Sequence, residues 1–281
     1  MNKHYYTPAE VLDVNMTAGE EKVQLPIFKL ILLGIMAGAF VAFGAVASST
    51  AIFGVTDLGT SRLIAGCIFP VGLMMITFAG GELITSNCML VAGVMDKRFG
   101  VWVMIRTLAC LYLGNLIGAS VIAVVVYFSD ILNSSNGALG AYMLKVAYGK
   151  TSLTPVAAVC SGILCNILVC VASLKAIASK DIAGKVWALF FPIMLFVVSG
   201  FEHCVADMFY IVMGMIAAMN EKYVVLAEEL YGLTTAQIDA AINIGGFFSN
   251  QIPVTIGNII GGMVFVALPI FVIHKGKSCN K

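Results

Sequence analysis

A run of 36 residues, 184–219, is apolar almost throughout, yet it carries Ser199, Glu202, His203 and Asp207 near its middle. As one helix it would be about 50 Å long at 1.5 Å per residue. The hydrocarbon of a bilayer is roughly 30 Å thick. The run 61–95 poses the same problem, and "AGGELITSN" interrupts it as "SGFEHCVAD" interrupts the other. Each interruption sets a glycine and a glutamate inside an apolar stretch. Such a pattern predicts two helices broken at membrane depth, because irregular backbone survives there only inside protein or beside a water-filled cavity.

The rest of the chain agrees with a membrane setting. It is 60% hydrophobic and 11% charged, whereas soluble domains carry about 25% charged residues. Six apolar segments, approximately 26–52, 61–95, 101–128, 152–178, 184–219 and 242–273, are long enough to cross. The formal net charge of +1 argues against a nucleic-acid partner. Eight cysteines are scattered without a Cys-x-x-Cys pair, and all but Cys279 lie in apolar stretches. They read as small buried hydrophobes, so neither a metal nor another cofactor is expected. The first 25 residues are polar and give no sign of a signal peptide. Within them Thr7-Pro8-Ala9-Glu10 has the form of a capping box with proline at the first helical position. That predicts a short interfacial helix.

Loop charge sets the orientation. Lys3, Lys22, Lys29, Lys97, Arg98, Arg106, Lys175, Lys180, Lys185, Lys275, Lys277 and Lys281 fall on one side of the six-span scheme. Arg62, Lys145, Lys150 and Lys222 fall on the other. Both termini are therefore expected in the cytoplasm.

The two halves share marks in the same order. Gly34–Gly38 is echoed by Gly162–Asn166, Gly80-Gly81-Glu82-Leu83 by Gly200-Phe201-Glu202-His203, and Gly114–Gly118 by Gly257–Gly261. Three spans per half require halves of opposite orientation, so the expectation is an inverted repeat. Residues 1–25 form an amino-terminal segment, 26–128 the first repeat and 152–273 the second, in one channel domain spanning 1–281. Broken helices at matched positions point to a permeation site near the midplane. Half-helices that follow the breaks would aim their amino ends at the path, which favours an anion or a polar neutral solute.

His203 is the one histidine within a span; His4 and His274 lie in the tails. Ionisable groups in lipid mark pathways, and His203 would give a hydrogen bond or a proton to a passing solute. Glu82 and Glu202 admit two readings: charged pore lining, or carboxylates that accept N–H groups from the interrupted backbone. Their symmetry favours the second. Asn115 and Asn258, also symmetric, read as helix-joining amides. Lys150 is either a lysine snorkelling at a helix end or a vestibule cation that concentrates anions. Asp207, four residues after His203, has no assigned partner.

The stretches "GGELITSN", "GILCNILVCVA", "SGFEHCVADMF" and "IPVTIGNIIGG" resemble the formate/nitrite transporter family along nearly the whole chain. The resemblance implies an all-α, aquaporin-like fold of six spans with the second and fifth broken. It also implies a homopentamer in membrane lipid, with one pore per subunit. It makes His203 the central pore histidine, Thr85 its hydrogen-bonding partner, Asn166 an asparagine close by, and Lys150 the vestibule lysine. Phe69, Leu73 and Phe196 resemble the constriction on the cytoplasmic side, and Leu83 and Val169 the opposite one. Cys204 and Asp207 depart from the commoner Ser and Asn, and the divergence leans toward the hydrosulfide branch.

The expected function is a channel for a small monovalent anion of a weak acid, formate, nitrite or hydrosulfide, across the cell membrane. An ion would lose its hydration in a dry ring of Phe and Leu at a cost of many kcal/mol. The expected passage is therefore assisted by protonation, with His203 sharing or donating the proton. Direct anion passage past a hydrogen-bonding His203 is the alternative mechanism. A neutral-solute channel of aquaporin type is the alternative function, weakened by the lack of an Asn-Pro-Ala signature. A membrane-embedded enzyme built on Glu202, His203 and Cys204 is disfavoured, since adjacent residues rarely converge on one substrate atom.

Overall fold

A computed structural model describes residues 5–275. Lys3, His4, Lys277, Cys279 and Lys281 lie outside the described residues. Among those described, six helices are long and apolar enough to cross a membrane: Ile27–Ile52, Leu58–Ala79, Val101–Phe128, Pro155–Ala178, Ile182–Ser199 and Ile244–His274. Among the described residues the elements are all helical, with one isolated bridge between Tyr5 and Ser179.

Helix α1 (Pro8–Val23) opens with the capping box of Thr7 and Glu10. It buries Val11, Leu12, Met16, Gly19 and Val23 against the rest of the protein. The first repeat follows: α2 (Ile27–Ile52), the divided second span α3 (Leu58–Ile68) and α4 (Val71–Ala79), and α5 (Val91–Met95) leading to α6 (Val101–Phe128). Helix α7 (Ser134–Thr151) bridges the halves. The second repeat has α8 (Pro155–Ala178), α9 (Ile182–Ser199), α10 (Cys204–Ala217) and α13 (Ile244–Gly262). The chain enters α13 through α11 (Glu221–Tyr231) and α12 (Thr235–Ala241), and leaves it through a π turn, Met263–Ala267, into α14 (Leu268–His274).

Matched glycines hold the two halves in matched ways. A Cβ at Gly38 or Gly118 would collide with the backbone of Asn115 or Ile35, so α2 and α6 touch backbone to backbone. A Cβ at Gly257 or Gly261 would meet the carbonyl of Val159 or Ile163, which brings α13 equally close to α8. Small residues at membrane helix crossings allow this approach.

Both predicted breaks are present. Gly80 (φ 84°) ends α4 and Gly200 (φ 73°) ends α9. A left-handed turn of that kind suits glycine, which has no Cβ to clash. The breaks then diverge. After the second, α10 starts at once with His203 as its N-cap. After the first, Ser86–Leu90 forms a 3₁₀ turn and only then does α5 begin. The half-helix expected behind the first break is thus shorter and tighter than its twin. Helix α10 is buried along most of its length, from Cys204 to Ala217. The exposed apolar side chains, such as Trp187, Phe191 and Leu195 of α9, lie on the outer helices.

Residues 129–151 and 220–241 read as connections in the sequence, yet they supply α7, α11 and α12. Helix α7 buries Leu139, Met143, Leu144 and Ala147 against α10 and α11. It is this helix that carries Lys150 to the site.

Candidate pore and its two chambers

Two asparagines close the breaks by the same three hydrogen bonds. Asn115 Nδ2 donates to the Gly34 and Glu82 carbonyls at 2.9 and 3.0 Å, and its Oδ1 accepts from Ile84 N–H at 3.0 Å. Asn258 Nδ2 donates to the Gly162 and Glu202 carbonyls at 2.8 and 3.1 Å, and its Oδ1 accepts from Cys204 N–H at 3.0 Å. Each amide thus joins a helix glycine to the carbonyl of the break glutamate and to the N–H two residues later. The Glu82 N–H donates to the Leu33 carbonyl at 3.0 Å, and the Glu202 N–H to Ser161 Oγ at 3.0 Å.

The glutamates do something else. The expectation that Glu82 and Glu202 accept N–H groups from the broken backbone is corrected: among the described residues neither does. Glu82 Oε2 accepts from Lys22 Nζ at 2.7 Å and from Asn87 Nδ2 at 2.8 Å. Glu202 Oε2 accepts from Lys150 Nζ at 2.8 Å. Lys150 therefore is not a free vestibule cation. Its Nζ also lies 2.7 Å from Asp207 Oδ1 and 5.5 Å from the centre of the Tyr210 ring. The sequence left Asp207 without a partner, and this ion pair supplies one.

Two chambers of about 300 Å³ adjoin the two breaks. One is lined by Lys22, Leu73, Ile76, Glu82, Asn87 and Ser173. The other, of about 310 Å³, is lined by Arg62, Lys150, Phe196, Glu202, His203 and Asp207, and also by Phe69. Phe69 and Phe196 meet edge to face at 5.7 Å between ring centres, and Phe196 stacks on the His203 ring at 5.9 Å. This corrects the grouping of Phe69, Leu73 and Phe196 as one constriction on the basic-rich side. The phenylalanines line the Lys150 chamber, whereas Leu73 lines the Lys22 chamber. The reason is helical rise: Leu73 sits four residues beyond Phe69, about 6 Å deeper along the span. Leu83 and Val169 are buried in the common core and line neither chamber. Leu83 follows Glu82, and Val169 sits one turn before Ser173; both of those neighbours line the Lys22 chamber.

At the centre, Thr85 Oγ1 lies 3.0 Å from His203 Nε2. His203 Nδ1 accepts the N–H of Ala206 at 3.3 Å, capping α10. A nitrogen that accepts carries no proton, and a neutral imidazole has one N–H. The hydrogen-bond pattern therefore assigns the proton to Nε2, which donates to Thr85. Both side chains are buried, at 3% and 1% exposure. Asn166 holds the Thr85 backbone and makes no hydrogen bond to His203. Its Nδ2 donates to the Thr85 carbonyl at 3.1 Å and to the Asn258 carbonyl at 2.6 Å.

Sequence reading missed Lys22, Asn87 and Ser161. A signal for the first two was present. Asn87 follows Glu82 by five residues, as Asp207 follows Glu202, so the paired clusters were written in the repeat. No group of His, Cys, Asp and Glu among the described residues could hold a metal ion.

A family model described as Formate/nitrite transporter matches residues 9–272. A probable formate transporter of Methanothermobacter thermautotrophicus is 36% identical, covering 95% of this chain and 96% of its own. The formate channel of Haemophilus influenzae is 35% identical over 93% of this chain and 92% of its own. Among solved structures, a pentameric formate channel with formate bound has a TM-score of 0.76 at 30% identity, covering 88% of this chain and 97% of its own. An FNT family ion channel superposes with a TM-score of 0.79 at 24% identity, over 94% and 98% of the two chains, which speaks for the fold.

Proposed function

The chain belongs to the formate/nitrite transporter family, as a multi-pass membrane protein and not an enzyme, and on that premise we propose that it conducts formate through a pore in each subunit of a homopentamer. Formate is preferred to nitrite and hydrosulfide because the relatives above are named for formate; the lean toward hydrosulfide finds no support among them. The pentamer rests on the solved formate channel that this chain resembles. The excess of basic loops on the Lys22 side supports a cytoplasmic location for both termini.

The observation that carries the mechanism is the donor chain at the midplane. Ala206 N–H donates to His203 Nδ1, and His203 Nε2–H to Thr85 Oγ1. The Thr85 O–H remains as the outermost donor. Each bond polarises the next, and the positive end of α10 adds to the effect. A solute oxygen that accepts from this chain suits a carboxylate or a carboxylic acid. His203 works here by giving a hydrogen bond. Giving up its one proton would leave an imidazolate, and a second proton on Nδ1 would face the Ala206 N–H. This replaces the idea that His203 itself protonates the solute.

Crossing the Phe69–Phe196 contact still favours a neutral species, since desolvating an ion there costs many kcal/mol. The proton must therefore accompany formate or be supplied before the gate. Phe69 and Phe196 face the chamber of Lys150, and Leu73, Leu83 and Val169 lie toward that of Lys22. Between them Thr85 and His203 form a polar step, and Asn166 holds Thr85 in place.

The test is uptake of labelled formate into proteoliposomes, with nitrite and hydrosulfide as competitors across a pH series. Formate uptake that exceeds protein-free liposomes, without chemical turnover of formate, supports the reading. Hydrosulfide or nitrite moving many-fold faster than formate would reassign the substrate. Movement of water or glycerol with no acid flux would favour the neutral-solute channel.

A further inference from the structure

The two chambers carry mirrored clusters that differ in one residue. In the first, Lys22 Nζ donates to Glu82 Oε2 at 2.7 Å and to Asn87 Oδ1 at 2.8 Å, and Asn87 Nδ2 closes the triangle by donating to Glu82. One ammonium and one carboxylate cancel, and the amide supplies the third hydrogen bond. In the second, Lys150 Nζ reaches Glu202 Oε2 at 2.8 Å and Asp207 Oδ1 at 2.7 Å. Those two oxygens are thus no more than 5.5 Å apart. Aspartate stands where the mirror has an amide, and the bond that closed the triangle has no donor.

Asp207 is fully buried. Its contact with Nζ lies off the direction of a hydrogen bond, and among the described residues neither carboxylate oxygen receives one. Among the described residues Lys150 is the one cation paired with either acid. Helix α10 itself brings Tyr210 and Cys204, the break brings Glu202 and His203, α7 brings Tyr142 beside Lys150, and α8 brings Cys165. Helix α13 brings Asn250 and Gln251, whose amides donate to the Lys150 and Cys204 carbonyls, and α6 brings Tyr112, which donates to Gln251. Arg62 of α3 lines the chamber but makes no ion pair with either acid. Two ionised carboxylates on one ammonium would leave a buried negative charge beside the path of an anion. Close carboxylates avoid this by sharing a proton. An O–H on Asp207 also restores the donor that Asn87 provides in the mirror.

We propose that Glu202 and Asp207 share one exchangeable proton beneath Lys150, which keeps this cluster neutral as the anion arrives and supplies the proton with which it crosses the phenylalanine gate. This rests on the channel reading above and adds the source of the proton on the Lys150 side. The carboxyl O–H breaks and an O–H forms on a formate oxygen. Formic acid passes Phe69 and Phe196, and the pair is left as two carboxylates on Lys150. Water in the chamber returns the proton from the solution on that side.

Infrared difference spectroscopy on the purified protein in lipid tests the proton without any transport. The wild type should show a carboxylic-acid C=O band that disappears on alkaline titration and is lost in Asp207→Asn. Asn87→Asp, which copies the pair into the Lys22 cluster, should gain such a band. In proteoliposomes, formate influx from the Lys150 side should lose much of its pH slope in Asp207→Asn. Glu202→Gln, which leaves Asp207 a donor-bearing neighbour, covers the case in which Asp207→Asn does not fold; it too should lose the shared-proton band. A wild type with no carboxylic band at a pH where formate moves overturns the proposal. So does a band, or a pH slope, that is identical in the wild type and in whichever variant folds. Absence of any formate flux in the wild type would sink the channel reading instead, and leaves the infrared result standing.

Discussion

Replacing Asn258 with alanine should cost far more than the removal of an ordinary hydrogen bond between helices. The Asn258 side chain makes three bonds: to the Gly162 carbonyl, the Glu202 carbonyl and the Cys204 N–H. Gly162 sits inside α8 and keeps its helical partner. The Glu202 carbonyl and the Cys204 N–H belong to the break and have no other partner among the described residues. Hydrogen bonds between membrane helices average about 0.6 kcal/mol, so three simple bonds would sum to about 2 kcal/mol. Two buried backbone groups left unsatisfied cost about 1–3 kcal/mol each, which brings the expected loss to about 4 kcal/mol. Asn115→Ala removes the same set from the first break and strands the Glu82 carbonyl and the Ile84 N–H. The two variants should therefore match within about 1 kcal/mol. Reversible unfolding in mixed micelles measures both. A loss of about 2 kcal/mol or less in each would mean that water or a shifted backbone satisfies the breaks, and the clamp account would be wrong.

Other perturbations test the remaining parts. Lys150→Met strands two buried acids and should destabilise by about 3–5 kcal/mol, with recovery when Glu202→Gln and Asp207→Asn are added; the same unfolding assay reads both. Gly118→Ala drives a methyl group into the Ile35 carbonyl where α6 crosses α2, so a loss of about 1–3 kcal/mol is expected, and an unchanged midpoint would deny the close crossing. Phe69→Ala combined with Phe196→Ala opens the contact between the two rings. Osmotic light scattering should then show water permeability above that of the wild type, and no increase would place the barrier elsewhere.

Much of this architecture was legible because lipid makes polar residues expensive. Glycine beside glutamate in an apolar run has few explanations at membrane depth, so Gly80–Glu82 and Gly200–Glu202 announced the breaks. Matched glycines announced the repeat for a similar reason: at Gly38, Gly118 and Gly261 a single carbon does not fit. Helices α7, α11 and α12 were not legible. They are short or polar, and they exist because Leu144, Tyr223 and Ile238 find partners distant in sequence. The sides of the constrictions were misread because depth depends on helical register, and residue type says nothing about it: Phe69 and Leu73 are equally apolar, yet they face different chambers. The lysine partners of Glu82 and Glu202 are 60 and 52 residues away, too far for local spacing to reveal. The pairing of Asn87 with Asp207 could have been read from the repeat, and it carries the difference between the chambers.

The central claim is that His203 serves the pore as a neutral donor of a hydrogen bond, capped through Nδ1. The chain has three histidines, of which His4 and His274 lie near its two ends, so nitrogen NMR of histidine-labelled protein in lipid, with His203→Asn as the blank, reads His203 directly. The account predicts, under conditions where formate is conducted, a proton on Nε2 and a bare Nδ1. A proton on Nδ1 under those conditions, whether in the other neutral tautomer or in imidazolium, would contradict it.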